Sequence, residues 1–268
     1  MDDWRDSLDE RSIHESLTTR WLARPAHYFS EVPSTNDILQ EMADGGAPAG
    51  TMVITDFQSR GKGRLGRRWE APPGTSLLLS LLFRPGWPAA RSAWLTMAAG
   101  LAAAAAVAAE ADVEVGLKWP NDLMVAVDGE WRKCGGLLLE TRLEAGVLQQ
   151  AILGMGLNVN IPPAQLPAAA TPAASLMSAG GRVVPRLPLL ASFLRRLEAR
   201  YEAAAQGHSP QPAWNRRLIN LGQEVQVRTR TATVAGTAEG SDAWGRLLVR
   251  DAAGKLHAIA AGDVSLRR

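Results

Sequence analysis

The sequence predicts an α+β protein in which a mixed, mostly antiparallel sheet is flanked by helices and followed by a small antiparallel β-barrel. Apolar segments between residues 115 and 158 are separated by short turns, among them Asp128-Gly129 and Ala145-Gly146, which are typical of hairpins. Beyond Leu221-Gly222, short strands alternate with glycine turns. We therefore expect a lead-in segment over residues 1–27, a main domain over 28–220 and a β domain over 221–268.

Four segments have helical patterns. A helix should begin after Ser34-Thr35-Asn36, where short polar residues can cap it, and end at Gly45-Gly46. Leu187–Gln206 carries apolar residues on one face, and residues 12–17 have helical composition. Leu95–Ala111 is dominated by alanine, and we interpret it as a buried helix because a membrane span needs about 20 residues and stronger hydrophobes.

Strands are expected in the remaining apolar segments. Thr51–Phe57 is rich in β-branched residues, and Ser76–Phe83 is a fully apolar run typical of a central strand. Residues 58–75 lack an apolar period and form a long loop, which in a compact domain usually has a function. Residues 161–175 are rich in Pro and Ala and should be irregular. The hairpin strands are Val115–Trp119, Leu123–Val127, Gly135–Arg142 and Val147–Asn158.

Composition excludes several classes of protein. The formal net charge is only +2, so the molecule is not a polyanion binder by overall charge. The polar, acidic N-terminus is no signal peptide, and the single cysteine, Cys134, fits a reducing cytoplasm. The four histidines have neither metal-ligand nor triad spacing, which argues against zinc enzymes and hydrolases; they are His14, His27, His208 and His257.

The segment Gln58–Trp69 carries the densest chemical signal. It holds five basic residues and three glycines. Glycine lets backbone N–H groups approach a ligand, and the cations neutralise an anion held there, so the segment suits a phosphate-bearing ligand. A nucleic-acid patch and a solvated basic loop are the alternatives that these residues alone leave open. A dinucleotide-binding turn is rejected, since Gly61, Gly63 and Gly66 lead into a Pro-rich segment that cannot be a helix.

Five motifs occur in a fixed order and together resemble the biotin–protein ligase family, in its form without an N-terminal DNA-binding domain. Residues 261–266 resemble that family's SH3-like C-terminal domain. The resemblance implies the biotin/lipoate ligase catalytic fold. The motifs are Ser34-Thr35-Asn36, the basic loop Gln58–Trp69, Lys118-Trp119-Pro120-Asn121-Asp122, Lys133–Glu140 and Gly154-Met155-Gly156-Leu157-Asn158.

This resemblance implies an enzyme that uses biotin and MgATP. Biotinyl-5′-AMP forms first, and biotin then passes to a lysine of a biotin carboxyl carrier domain of an acyl-CoA or pyruvate carboxylase. A lipoate–protein ligase or lipoyl/octanoyl transferase is the nearest alternative, and a nucleic-acid-binding regulator is the alternative from another class. Because only residues 1–27 precede the matching region, we expect no DNA partner, and we expect no membrane partner.

The resemblance also assigns residues to the two substrates. Lys133 and Arg64 are the expected catalytic residues, and Asp122 is the candidate contact of magnesium carried by ATP. Lys62 stands where the family often has arginine, which leaves its contact open. Without the resemblance, the alternative interpretations are a helix cap for Ser34, a core residue for Trp69 and a surface lysine for Lys133. The biotin set is Ser34, Thr35, Asn36, Gln58, Gly61, Lys62, Lys133 and Gly135, and the ATP set is Lys62, Gly63, Arg64, Arg67, Trp69, Asn121, Asp122 and Asn158.

Overall fold

A computed structural model describes residues 8–167 and 171–266. The helices are α1 (Glu10–Ser16), α2 (Thr35–Asp44), α3 (Ser92–Ala111), α4 (Leu176–Gly180), α5 (Arg186–Ala205) and α6 (Gln211–Asn215). The strands of the main domain are β1 (Ala26–Val32), β2 (Met52–Gln58), β3 (Ser76–Phe83), β4 (Trp87–Pro88), β5 (Val115–Lys118), β6 (Asp122–Val127), β7 (Glu130–Glu144) and β8 (Val147–Asn158). The C-terminal strands are β9 (Glu224–Arg228), β10 (Thr233–Ser241), β11 (Leu247–Arg250), β12 (Leu256–Ile259) and β13 (Asp263–Leu266).

Eight strands form one mixed sheet in the order β1-β2-β3-β8-β7-β6-β5, with β4 paired to β8. Only β1 and β2 run parallel, and the other pairs are antiparallel. The predicted hairpins are present: Asp128-Gly129 and Ala145-Gly146 have positive φ at both positions, as a tight hairpin turn requires. All eight residues of β3 are buried, which explains its unbroken apolar sequence. The predicted α+β class is confirmed.

Helix α3 is a core element of the main domain, as its sequence predicts. Thirteen of its residues are buried, and Gly100 lets the helix approach the indole of Trp214, because a Cβ there would lie 2.7 Å from Trp214 Cζ3. Among the described residues, one helical stretch, Ala89–Ala111, is long and apolar enough to cross a membrane, but 67% of its apolar window is buried inside the protein. The burial identifies it as a core helix.

Three parts of the chain ahead of the C-terminal sheet differ from the sequence-based expectation. Residues 26–32 form a strand that the sequence pattern did not indicate, and its parallel pairing with β2 is made through the α2 crossover. Strand β7 begins at Glu130, because the residues after the Asp128-Gly129 turn pair with β6 before the apolar run starts. Helix α1 begins at Glu10, since Asp9 caps it by accepting from Ser12 N at 2.9 Å.

The C-terminal strands form a five-stranded antiparallel sheet in the order β12-β11-β10-β9-β13, which confirms the predicted small β domain. This sheet is attached to the main domain by polar contacts. Two indole N–H groups donate to its β10–β11 turn: Trp94 to the carbonyl of Ala243 and Trp119 to that of Gly245, both at 2.8 Å. The turn is therefore fixed against α3 and the segment between β5 and β6.

Candidate active site

A cavity of about 580 Å³ lies between the main sheet, the loop over residues 58–69 and the C-terminal sheet. Its walls combine polar side chains, several cations and one indole. Thirteen of the site residues expected from sequence line it: Ser34, Thr35, Asn36, Gln58, Lys62, Gly63, Arg64, Arg67, Trp69, Asn121, Asp122, Lys133 and Asn158.

Gly61 and Gly135 do not line the cavity. A Cβ on Gly61 would overlap the carbonyl oxygen of Trp69, and one on Gly135 would lie 2.9 Å from the carbonyl oxygen of Gly156. Both glycines therefore allow neighbouring backbones to approach each other, which is a packing role beside the cavity.

One end of the cavity consists of short neutral side chains at the start of α2. Ser34 occupies the N-cap position but makes no capping hydrogen bond, although it is only 1% exposed. The side-chain oxygen Oε1 of Gln58 accepts from Thr35 N at 2.8 Å and from Thr35 Oγ1 at 3.1 Å. This arrangement fixes the Gln58 amide, so its N–H groups point away from α2. The end thus presents a hydroxyl and an amide donor to a neutral polar ligand group.

A second polar cluster lies beside this end, and it includes Lys62. The Lys62 ammonium pairs with Asp37 and lies 3.9 Å from Glu140 Oε1. The hydrogen bond to Asp37 raises the pKa of Lys62. Glu140 Oε2 also accepts from Asn36 Nδ2 at 2.6 Å, and Asn36 Oδ1 accepts from Ser80 Oγ at 2.5 Å. Two carboxylates therefore already compensate the charge of Lys62.

The middle of the cavity holds two lysines and one carboxylate. Lys133 Nζ lies 2.5 Å from Asp122 Oδ1 and 5.9 Å from the centre of the Trp69 ring, so it faces the cavity. Lys118 also lines the cavity and has no ion-pair partner among the described residues. Burial lowers the pKa of Lys118, and the nearby Asp122 charge opposes this effect only in part. Lys118 is the first residue of the motif over residues 118–122, but the sequence analysis did not assign a role to this lysine.

Two buried polar atoms of residues that line the cavity have no partner within residues 8–167 and 171–266. Trp69 packs over Gly156, where a Cβ would lie 2.5 Å from its Cε2 atom, and its indole N–H is buried and unbonded. Asn158 donates to the carbonyl of Ala174 at 3.0 Å, but its Oδ1 is buried and unbonded. An unsatisfied buried group costs about 1–3 kcal/mol, so both atoms are suited to bond a ligand.

Two arginines of the loop contact the C-terminal sheet. Arg64 Nη1 donates to Asn121 Oδ1 at 3.1 Å and lies 3.5 Å from the carbonyl oxygen of Gly262, and burial lowers the pKa of Arg64. Arg67 pairs with Asp263. Sequence reasoning gave no ligand role to this wall, because its residues lie more than 150 positions from the loop. The C-terminal residues that line the cavity are Gln226, Arg228, Asp263, Val264 and Ser265.

The donor set for a metal is small. Among residues 8–167 and 171–266, no group of three or more His, Cys, Asp or Glu side chains could hold a metal ion. Asp122 is the carboxylate in the middle of the cavity, which fits magnesium that arrives bound to phosphates and needs one or two carboxylates. Cys134 is fully buried, and burial raises the pKa of its thiol to about 12, so it is no thiolate nucleophile.

Comparisons with known proteins give matches over almost the whole chain. The model of the biotin/lipoate A/B protein ligase family matches residues 28–158, and that of the biotin protein ligase C terminal domain matches residues 221–267. The biotin–[acetyl-CoA-carboxylase] ligase of Mycobacterium tuberculosis is 34% identical over 276 residues, with 97% of this chain and 96% of that protein covered. The bifunctional ligase/repressor BirA of Bacillus subtilis is 30% identical, with 97% of this chain and 79% of that protein covered.

Solved structures give the same result. The biotin protein ligase from Aquifex aeolicus in complex with biotin and ATP superposes with a TM-score of 0.75 at 27% identity, and the match covers 91% of this chain and 98% of that one. Sequence similarity over almost the whole chain and the shared fold thus indicate the same family. The chain belongs to the biotin protein ligase family of enzymes.

Proposed function

We propose that this protein activates biotin with ATP to biotinyl-5′-AMP and then transfers biotin to a lysine of a carrier protein. The observation that carries the proposal is the set of groups that line one cavity: neutral hydroxyl and amide groups, lysines, an indole and an amide oxygen without a partner among the described residues. Biotin joined to AMP has the complementary groups, namely a neutral ureido ring, a carboxyl–phosphate junction and a purine.

The neutral end suits the ureido ring of biotin. Gln58 offers amide N–H groups, because Thr35 occupies its carbonyl oxygen, and Ser34 offers a hydroxyl that makes no capping bond and has no partner in the part of the chain that the structure describes. These groups complement a carbonyl and two ring N–H groups in a mostly enclosed pocket. Asn36 belongs to this end through its bond to Ser80, although Glu140 already occupies its amide N–H group.

The lysines suit the reacting centre. A carboxylate oxygen of biotin attacks the α-phosphorus of ATP, the bond from that phosphorus to the bridging oxygen breaks, and pyrophosphate leaves. Two anions must approach each other, so the enzyme contributes positioning and positive charge. Lys133 and Lys118 supply this charge from the middle of the cavity. Magnesium carried by the phosphates would add positive charge beside Asp122.

The indole of Trp69 and the amide of Asn158 suit the adenylate. Trp69 offers a ring face and a free indole N–H, and Asn158 offers a carbonyl oxygen that can accept from the exocyclic amine of adenine. Arg64 and Asn121, which bond each other, lie where the phosphate and ribose can be held, and Arg67 and Gly63 complete the loop around them. The second step needs only an entering amine: the lysine nitrogen attacks the acyl carbon, loses a proton, and AMP leaves.

The partner that we propose is a biotin carboxyl carrier domain of an acyl-CoA or pyruvate carboxylase, met in the cytoplasm. The relative from Mycobacterium tuberculosis is named for acetyl-CoA-carboxylase. We propose neither a DNA partner nor a membrane partner; the long apolar helix α3 is buried in the main domain. Residues 28–220 and 221–268 remain the domains that we propose.

The test is biotin-dependent exchange of labelled pyrophosphate into ATP by the purified protein, followed by transfer of biotin to a carrier domain. We expect exchange with biotin and none without it. Lipoate in place of biotin is the control, since the matched family also contains lipoate ligases. Exchange that requires lipoate and ignores biotin would overturn the assignment, and so would the absence of any exchange.

A further inference from the structure

We propose that Lys118 binds the pyrophosphate that leaves ATP, and that this lysine acts in adenylate formation but not in the transfer of biotin to the carrier. The inference rests on the proposed function and divides two lysines of the cavity between its two steps. Lys133 belongs to the carboxyl–phosphate junction, which takes part in both steps. Lys118 belongs to the leaving group of the first step only.

Lys118 lies at one end of a row of residues that crosses the main sheet beneath the cavity. In the strand register, Lys118 is opposite Asp122, Asp122 is opposite Gly136, and Gly136 is opposite Gly156. Residues directly opposite each other point to the same face of a sheet, and all four line the cavity. Neighbouring strands are about 4.8 Å apart, so two strand spacings separate Lys118 from Gly136.

The two glycines of this row lie beneath the groups that we assign to the adenylate. A Cβ on Gly156 would lie 2.5 Å from Trp69 Cε2, and a Cβ on Gly136 would lie 3.5 Å from Lys133 Nζ. Trp69 and Lys133 therefore lie over the glycine part of the row. The adenine and the carboxyl–phosphate junction belong there, and Asp122 and Lys118 continue the row beyond them.

The groups that we assign to biotin lie on the opposite side of this junction from Lys118. Gln58 ends β2, whereas Lys118 ends β5, and the sheet order places β8 and β7 between these strands. Asn36 of α2 lies against β8, because a Cβ on Gly154 would overlap Asn36 Oδ1. Attacking and leaving oxygens lie roughly in line across the phosphorus, so pyrophosphate leaves toward β6 and β5.

The charge of Lys118 is available to a ligand anion, unlike that of the other two lysines. Lys62 pairs with Asp37, and Lys133 Nζ lies 2.5 Å from Asp122 Oδ1. Lys118 is opposite Asp122 but has no ion-pair partner within residues 8–167 and 171–266. Burial lowers its pKa, and a partly buried cation without a counter-ion is suited to bind an anion. Pyrophosphate supplies that anion.

The first step places new charge where Lys118 lies, and it needs no proton from this lysine. A carboxylate oxygen of biotin forms a bond to the α-phosphorus, the bond to the bridging oxygen breaks, and its electron pair stays on pyrophosphate. The Lys118 ammonium neutralises part of this charge as it develops. In the second step the carrier amine attacks the acyl carbon and AMP leaves. No pyrophosphate takes part, so Lys118 has no ligand there.

The experiment compares the two half-reactions of the full-length protein. Lys118→Met should raise KM for pyrophosphate in the exchange assay about tenfold, as expected for the loss of a charge-assisted contact. Transfer of biotin from synthetic biotinyl-5′-AMP to a carrier domain should stay within twofold of wild type. Lys118→Arg keeps the positive charge and should recover most of the affinity for pyrophosphate.

Two other lysines provide the comparison. Lys133→Met should slow both half-reactions, because the junction that it contacts forms in the first step and breaks in the second. Lys255→Met changes an exposed lysine in the turn between β11 and β12, outside the cavity. This matched control should leave KM for pyrophosphate and the rate of transfer unchanged.

The outcomes separate this inference from the proposed function. A wild-type KM for pyrophosphate in Lys118→Met would overturn the inference, and so would a loss in transfer as large as the loss in exchange. Thermal unfolding checks that the variant is folded, and Lys118→Gln provides a second variant if methionine disturbs folding. Absence of biotin-dependent exchange in the wild-type protein would instead reject the proposed function.

Discussion

The environment of each side chain in the cavity shows whether it is available to a ligand or is already bonded by the protein. Lys133 pairs with one carboxylate and faces the cavity, whereas Lys62 pairs with Asp37 beside Glu140 and is charge-compensated. Trp69 and Asn158 each bury one polar atom without a partner among the described residues. An incomplete hydrogen-bond set in an otherwise bonded wall indicates where a ligand completes it. Trp214 and Asn220 also bury such an atom but do not line the cavity, so an unpartnered atom indicates a ligand contact only where it also faces the cavity.

Replacement of Lys133 by alanine should stop adenylate formation and leave the fold intact. The variant loses the cation between two approaching anions and leaves Asp122 without its partner, which adds repulsion. We expect kcat of pyrophosphate exchange to fall about 1,000-fold, as for the loss of other transition-state contacts. Thermal unfolding of the variant should match wild type, and this checks folding. A kcat of pyrophosphate exchange within threefold of wild type would show that Lys133 has no part in the reaction.

Gly156→Ala should weaken ATP binding selectively. The new Cβ would lie 2.5 Å from Trp69 Cε2 and 2.8 Å from Nε1, so the indole must move away from the strand. Loss of one aromatic contact corresponds to about a tenfold rise in KM for ATP. A titration of ATP in the exchange assay measures this, and KM for biotin is the internal control. An unchanged KM for ATP would argue that Trp69 does not contact the nucleotide.

At the scale of elements, the sequence predicted what local patterns determine and missed what tertiary contacts determine. The hairpins of β6, β7 and β8 follow from turn residues and apolar runs, and α3 from its composition. Strand β1 was missed, because its partly exposed sequence has no strong alternation and its pairing with β2 is non-local. The hydrogen bond from Asn36 to Glu140 was missed for the same reason, since the two residues are 104 positions apart. The cavity wall from β9 and β13 could not be predicted from local patterns either.

Helix α5 holds the segment before β1 through one carboxylate. Glu198 accepts from the backbone N–H groups of Arg20, Trp21 and Leu22. Burial alone would raise its pKa, but these donors outweigh burial and hold the pKa of Glu198 below its ordinary value. A carboxyl group with a lowered pKa in the folded state stabilises the protein above its unfolded pKa, and this contribution disappears as pH falls through the folded pKa.

Glu198→Gln should therefore destabilise the protein at neutral pH. An amide oxygen can replace some of the bonds but not the charge, so we expect a loss of about 2 kcal/mol in the free energy of unfolding at pH 7. Urea unfolding at several pH values measures it. The difference between the two proteins should begin to shrink as the pH falls below the ordinary glutamate pKa of about 4.3, and it should be smallest below the lowered pKa of the folded state, where the wild-type carboxyl group is protonated in both states. A difference independent of pH would show that the charge has no part in this contact.

At the scale of the whole molecule, the small C-terminal sheet completes a cavity that the main domain only begins. Its β10–β11 turn is fixed by the indoles of Trp94 and Trp119, and the end of β10 is fixed by Asn215. This attachment is at β10 and β11, whereas Asp263 is on the edge strand β13 of the same sheet. We therefore expect the sheet to reach the loop as one body. The position of the nucleotide wall therefore depends on contacts that do not touch ATP.

Asn215→Ala tests this dependence. Asn215 Oδ1 accepts from Ser241 N at 3.1 Å and from Ser241 Oγ at 2.7 Å, and its amide donates to the Ser241 carbonyl at 3.2 Å. Loss of the side chain removes the acceptor of the Ser241 N–H and hydroxyl groups, while the Ser241 carbonyl keeps the bond from Gln211 Nε2 at 2.5 Å; Ser241 is only 2% exposed. We expect a decrease of about 2 kcal/mol in the free energy of unfolding and a rise in KM for ATP, with KM for biotin unchanged.

The matched control is Glu224→Gln, which weakens a bond to Thr237 inside the C-terminal sheet and leaves the junction intact. If the sheet acts as one body held by the junction, this control can lose stability but should keep the wild-type KM for ATP. Asn215→Ala should differ from it in that single property, since the wall formed by Asp263 and Arg228 moves away from the loop. Equal KM values for ATP in the two variants would mean that the loop, and not the junction, positions the nucleotide wall.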